Sequence, residues 1–233
     1  MKSSEFHFTF ANIEAQYREA LMAGYTFINC SEYADRKHEL QPLTIVNRVD
    51  IDLSVKKADR LRDIFDRLDI KASFFVRLHA PEYNPFSFEN YRILKAIRDS
   101  GHEIGYHSEV VDQATIWNED AEKCLIRDVD TLNRMFNIEI KGVASHGGMT
   151  GLNNLDFWKD KKASDFGLLY EAYDWFNDMF YISDSEWTQW KCYNKGKLKE
   201  GDHRSFDKHV MDKHPLIYLL IHSDTYFHKH CYE

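Results

Sequence analysis

LTIVNRVDIDLSVKKADRLRDIFDRLDIKASFFV, residues 43–76, is the stretch that decides the fold. The run Leu43-Thr44-Ile45-Val46 suits a strand buried on both faces. From Val55 to Leu68 the apolar side chains Leu61, Ile64, Phe65 and Leu68 fall on one helical face. Ala72-Ser73-Phe74-Phe75-Val76 is the next buried strand, which completes a β-α-β unit. Working outward, a Pro/Asn loop from Pro81 to Ser87, a helix from Phe88 to Ser100, Gly101 and a strand from Glu103 to His107 repeat it. A helix from Asn118 to Phe136 and a strand from Gly142 to Ser145 follow. Further on come short apolar runs at 168–173, 179–183 and 216–222. On the other side, Ile13 to Ala23 reads as a helix stopped by Gly24, then a short strand Tyr25 to Ile28 and a polar stretch from Ser31 to Gln41. Strands alternating with helices imply parallel pairing through right-handed crossovers, and this many in one chain favour a barrel. The fold class is therefore α/β, a (β/α) barrel of mostly parallel strands. Residues 1–233 form one domain, with 1–42 as an N-terminal helix-strand extension packed on the barrel.

The composition removes several functions. Hydrophobic residues make up 43% and aromatics 15%, so a core is assured and disorder is excluded. A formal charge of −8 is wrong for a nucleic-acid backbone, whose binders need a basic face. No run reaches the ~20 apolar residues of a membrane span, and the first residues lack a secretory apolar stretch, so the expected location is cytoplasmic. Cys30, Cys124, Cys192 and Cys231 form no CxxC pair and read as free thiols.

Several strands end in residues that bind metals or protons: Asp50 and Asp52, His107 and Glu109, Ser145 and His146, Asp184, and His222. In parallel α/β folds the carboxyl edge is where loops converge and sites assemble. Each residue alone has a plain structural use, as a helix cap or a core histidine. Their joint placement at strand ends points to one mouth.

The segment Gly101-His102-Glu103-Ile104-Gly105-Tyr106-His107-Ser108 resembles the Gly-His-Glu-Ile-Gly-x-His-(Ser/Thr) motif of the NodB-type polysaccharide deacetylases, carbohydrate esterase family 4. The Asp-containing turn after Thr44-Ile45-Val46, with Ser54 and the helix from Val55, is similar to that family's first motif. Phe74-Phe75 resembles its next strand and Leu219-Leu220-Ile221-His222 its last motif. The likeness covers residues 43–111 well and the rest sparsely. A divergent branch among surface-polysaccharide and O-antigen biosynthesis proteins is more similar still, through Arg48-Val49-Asp50-Ile51-Asp52, His107-Ser108-Glu109 and Ala144-Ser145-His146-Gly147. The chain departs from the main family in three places. Val111 stands where the second histidine of its metal motif belongs, Ile51 splits the aspartate pair, and no Arg-x-Pro motif lies near Ser145.

The resemblance implies a distorted, NodB-like barrel and one divalent metal ion, Zn2+ by preference. It also implies hydrolysis of an N-acetyl or other acyl group from a sugar or sugar precursor. A catalytic zinc takes about three protein ligands and keeps one position open. Asp52 and His107 are the first two, with His146 preferred as the third and Glu109 as the alternative. Asp50 is the candidate general base, and His222, titrating near neutrality, the candidate acid for the leaving amine. Arg48, Arg77 and Asp184 are candidates for orienting substrate or base. Rings between Trp175 and Trp190 offer surfaces on which a sugar can stack. The alternative is a non-catalytic, carbohydrate-binding member of the same fold, motivated by Val111.

Overall fold

The computed structural model describes residues 7–232. In chain order its elements are α1 (Phe10–Met22), β1 (Thr26–Ile28), α2 (Cys30–Arg36), β2 (Thr44–Ile51), α3 (Val55–Leu68), β3 (Ser73–Val76), α4 (Phe88–Asp99), β4 (Glu103–Ser108) and α5 (Val110–Trp117). There follow α6 (Ala121–Phe136), β5 (Gly142–Ser145), β6 (Tyr170–Glu171), β7 (Phe180–Ser183), β8 (Lys191–Asn194), β9 (Lys197–Leu198), α7 (Phe206–Met211) and β10 (Leu216–His222). The strand path is β6-β5-β4-β3-β2-β10-β7-β8-β9, with β1 branching from β2. Pairings from β6 to β7, and that of β1 with β2, are parallel; β7–β8 and β8–β9 are antiparallel. No described helix is long and apolar enough to cross a membrane.

The alternation of side chains along each strand separates two cores. Ile45, Val49 and Ile51 of β2, Phe74 and Val76 of β3, and Ile217, Leu219 and Ile221 of β10 face the outer helices. Val46, Phe75, Ala144, Tyr181, Tyr218 and Leu220 form a second cluster on the opposite face, with Tyr170 and Trp175. Side chains from far along the strand path meet there. The Tyr170 ring lies 6.4 Å from Phe75 and 5.0 Å from Trp175, and Tyr218 lies 6.2 Å from Trp175 and 5.7 Å from Tyr181. This inner filling is what a curled, barrel-like sheet produces, and it makes the fold a distorted (β/α) barrel.

Small residues make the filling possible. A Cβ added to Gly105 of β4 would lie 2.4 Å from Phe75 Cε1, and one on Gly142 of β5 would lie 2.1 Å from the Tyr170 ring. Each glycine therefore reserves space for the aromatic ring of the neighbouring strand.

Two helices run against the expected pattern. α2 falls inside the stretch read as polar; Asn29 caps it, accepting from Glu32 N, and only Cys30 and Tyr33 are buried on it. α5 buries Val110, Asp112 and Gln113, whereas Ile116 and Trp117 are 60% and 46% exposed. Its buried face is polar, so hydrophobic periodicity could not reveal it. Asn118 ends α5 in a left-handed conformation (φ 54°), and Asp120 caps α6 through Glu122 N and Lys123 N. The helix expected from Asn118 thus begins at Ala121.

Glu171 of β6 is a buried carboxyl that accepts from Ser145 N at 3.0 Å and Tyr173 N at 2.6 Å. Burial pushes its pKa up to about 7, against the pull of those N–H groups and of Arg48. A raised folded-state pKa contributes stability that is full below the unfolded value near 4.5 and is lost as pH rises through about 7. Glu171→Gln is expected to flatten the fall in urea midpoint between pH 4.5 and 7.5; an unchanged slope would remove Glu171 as its source. Gly105→Ala is expected to cost about 1–3 kcal/mol by overpacking against Phe75. Chemical denaturation checks this, with partial recovery expected in the Gly105→Ala/Phe75→Leu double variant.

Candidate metal centre at the barrel mouth

The inward positions of β2 continue from Val46 through Arg48 and Asp50, and the loop after the strand adds Asp52. Register puts His222 of β10 beside Asp50, and Phe75 beside Asp50 on the other flank. β4 brings His107 up next to Ala144 of β5, and His146 follows β5 by one residue. Five strand-end residues from four strands thereby share one mouth.

Asp52, His107 and His146 each offer a ligand atom, and the three atoms lie within 4.8 Å of one another. His107 Nδ1 is 2.8 Å from the Ala144 carbonyl, so this nitrogen carries the ring proton and donates it there. Nε2 then faces Asp52 Oδ1 at 3.2 Å and Asp50 Oδ2 at 3.3 Å. An imidazole nitrogen between one buried and one half-buried carboxylate calls for a positive charge, which a proton or a metal ion supplies. His146 Nε2 lies 3.9 Å from Asp52 Oδ1, its ring perpendicular to that of His107 at 5.0 Å between centroids. Asp52 Oδ1 is buried without an aligned hydrogen bond, an orphan that fits a ligand oxygen.

The charges of the site are held by their neighbours. Burial alone would raise the Asp52 carboxyl, but His107 close beside it and then His222 and His146 hold it well below the usual carboxylate range. Burial, reinforced by the charge of His107, brings His146 down to about 4, so it is a neutral imidazole near pH 7. For His222 burial is overruled by Asp184 and then by Asp52 and Asp50, which lift it to about 9.

Arg48 is 0% exposed and donates twice to Asp50, Nε to Oδ1 at 2.8 Å and Nη2 to Oδ2 at 2.7 Å. Its guanidinium also lies 4.6 Å from the Tyr173 ring centroid. Of the three residues expected to orient substrate or base, Arg48 is thus committed to Asp50. Arg77 donates to Glu109 Oε1 at 2.7 Å and to the Asp52 carbonyl at 2.9 Å. Glu109, the alternative ligand, is 3.7 Å from His146 Nδ1. Asp184 accepts from the His222 backbone N at 3.1 Å, and its Oδ1 lies 2.6 Å from His222 Nδ1, which directs Nε2 toward Asp52 Oδ2 at 4.0 Å. Of the rings between Trp175 and Trp190, Trp175, Tyr181 and Trp190 are buried packing, whereas Trp187 is 43% exposed on the loop after β7.

One part of the arrangement gave no sequence signal. Val111 N donates to Asn154 Oδ1 at 2.9 Å, and its side chain packs against the outer core. Asn154 Nδ2 in turn donates to Asp112 Oδ2 at 2.7 Å and to the His146 carbonyl at 3.2 Å. Asp112 Oδ1 accepts from Met149 N, Thr150 N and Thr150 Oγ1 at 2.8–3.0 Å. The start of α5 therefore clamps the loop that carries His146, at the position where a second histidine is missing. A buried Asn and Asp far apart in sequence carry no motif.

No family model matches the chain, and no curated protein matches it. Among solved structures it is similar to a mutant, with restored enzymatic activity, of a CE4-family pseudoenzyme from Bacillus anthracis: 19% identity, TM-score 0.48, covering 78% of this chain and 58% of that one. IcaB from Ammonifex degensii (19%, 0.46, 67% and 74%) and a polysaccharide deacetylase from Bacillus cereus (17%, 0.44, 77% and 78%) are also similar. The chain thus spans little more than half the length of the pseudoenzyme. At these identities and TM-scores the likenesses assign no activity; this chain's own side chains have to.

Proposed function

We propose that this chain is a metal-dependent hydrolase that removes an N-acetyl or other acyl group from a sugar or sugar precursor in surface-polysaccharide biosynthesis. The observation that carries the reading is the convergence of Asp52, His107 and His146 on one point beside Asp50 and His222. A neutral imidazole, a second imidazole already fixed by its Nδ1 proton and an ionised carboxylate are the donor set of a zinc-class ion. When bound, such an ion lowers the pKa of water and polarises the acyl carbonyl.

The remaining groups handle protons. Arg48 keeps Asp50 a carboxylate and fixes both its oxygens, so Asp50 stands in proton-accepting form beside the donor set. Asp184 binds His222 at Nδ1 and leaves Nε2 turned toward the mouth, where it donates a proton to the departing amine. The non-catalytic reading rests on Val111 alone, whose position is compensated by a histidine from the loop after β5, His146.

Asp52→Ala and His107→Ala are each expected to lose one equivalent of zinc relative to wild type by elemental analysis; an unchanged metal content would sink the assignment. Asp50→Asn is expected to keep the metal and lose roughly 10²–10⁴-fold in kcat on an N-acetylated amino sugar. His146→Ala is expected to weaken zinc affinity far more than Glu109→Gln, and the reverse order would make Glu109 the third ligand. Asp184→Asn should lower kcat about tenfold or more with little change in KM, since it acts through His222.

A further inference from the structure

A second convergence of donors lies away from the mouth, where β8, the segment after β9 and α7 meet. Cys192 Sγ, an Asp202 carboxylate oxygen and a His209 nitrogen lie within 4.8 Å of one another. The segment Lys199-Glu200-Gly201-Asp202-His203-Arg204-Ser205 has no apolar side chain, and Leu198 before it is 46% exposed. Hydrophobic burial therefore does not hold this segment in place.

His209 is completely buried, yet its Nε2 has no hydrogen-bond partner and lies 3.5 Å from Asp202 Oδ1. Leaving a buried ring nitrogen unsatisfied is unfavourable, because it has given up its hydrogen bonds to water. Cys192 is buried as well, and its thiol reaches the Asp202 carbonyl at 3.7 Å. On the far side of the ring, Nδ1 faces Asp212 Oδ2 at 3.8 Å and Arg204 Nη2 at 3.4 Å. Arg204 holds Asp202 from outside, Nε on Oδ1 at 3.0 Å and Nη2 on Oδ2 at 2.9 Å.

We propose that Cys192, Asp202 and His209 form a second metal site, which takes a zinc-class divalent ion as a clamp between the β8–β9 hairpin and α7. A mixed sulfur, nitrogen and oxygen set suits zinc and disfavours calcium and magnesium, which require oxygen. An ion on Nε2 requires the ring proton on Nδ1, the side on which Asp212 Oδ2 lies at 3.8 Å. Binding forms the sulfur–metal bond and releases the Cys192 thiol proton to solvent. The site shares no residue with the mouth and does not depend on the proposed hydrolysis.

Cobalt(II) titration of the metal-free full chain tests it. A thiolate bound to cobalt gives a charge-transfer band in the near ultraviolet, and the mouth, which has no sulfur donor, cannot produce one. The band is expected to saturate by two equivalents, the mouth taking up the other, to vanish in both Cys192→Ser and His209→Gln, and to persist in Asp52→Ala. Thermal melts of the two variants confirm that they fold. Wild type without the band at excess cobalt would overturn the proposal, as would a band that survives either Cys192→Ser or His209→Gln.

Discussion

The rest of the barrel mouth depends on a wholly buried ion pair between Arg48 and Asp50, two residues apart on one strand. Taking a guanidinium and a carboxylate out of water costs several kcal/mol each, and only close, fully hydrogen-bonded partners offset it. Arg48 has two hydrogen bonds to Asp50 and an aromatic face in Tyr173, while its buried Nη1 has no hydrogen-bond partner. Once Arg48 is inside, Asp50 has to stay ionised. An ionised Asp50 next to Asp52 makes the mouth electronegative; these two carboxylates draw His107 toward its charged form, and Asp184, then Asp52 and Asp50, do so for His222. The pair thus fixes the sign of the potential in which any ion or proton donor sits.

The layers below supply rigidity. Gly105 and Gly142 leave room for Phe75 and Tyr170, and those rings, with Trp175, Tyr181 and Tyr218, fill the barrel beneath the charges. A filled interior holds the strand ends at fixed separation, which is what a set of ligand atoms from different strands requires. The loop after β5 has no such packing to rely on, and it is held instead by Asp112 and Asn154. His146 takes its place through hydrogen bonds where the other donors take theirs through strand register.

How much of this could be read from residues follows from what each contact needs. Alternating strands and helices, the parity of Asp50, His107 and His222 at strand ends, and the stop at Gly24 are local facts, written in periodicity and spacing. The polar inner face of α5 is not, because Asp112 and Gln113 are buried by partners from other elements, among them Asn154 and Asp128. Nor was α2, whose cap at Asn29 is a single residue in a polar stretch.

The sequence by itself determined a (β/α) repeat with acidic and imidazole side chains at the carboxyl ends of its strands. Period-2 alternation fixes which residues share a face whatever their neighbours are. The tertiary structure alone decided that Arg48 serves Asp50, that Arg77 engages Glu109, that Asp184 aims His222, and that a loop clamped from α5 brings His146 to Asp52. These pairings join residues whose distance in space is set by strand register and burial, and a carboxylate's partner is whichever cation the fold brings within reach.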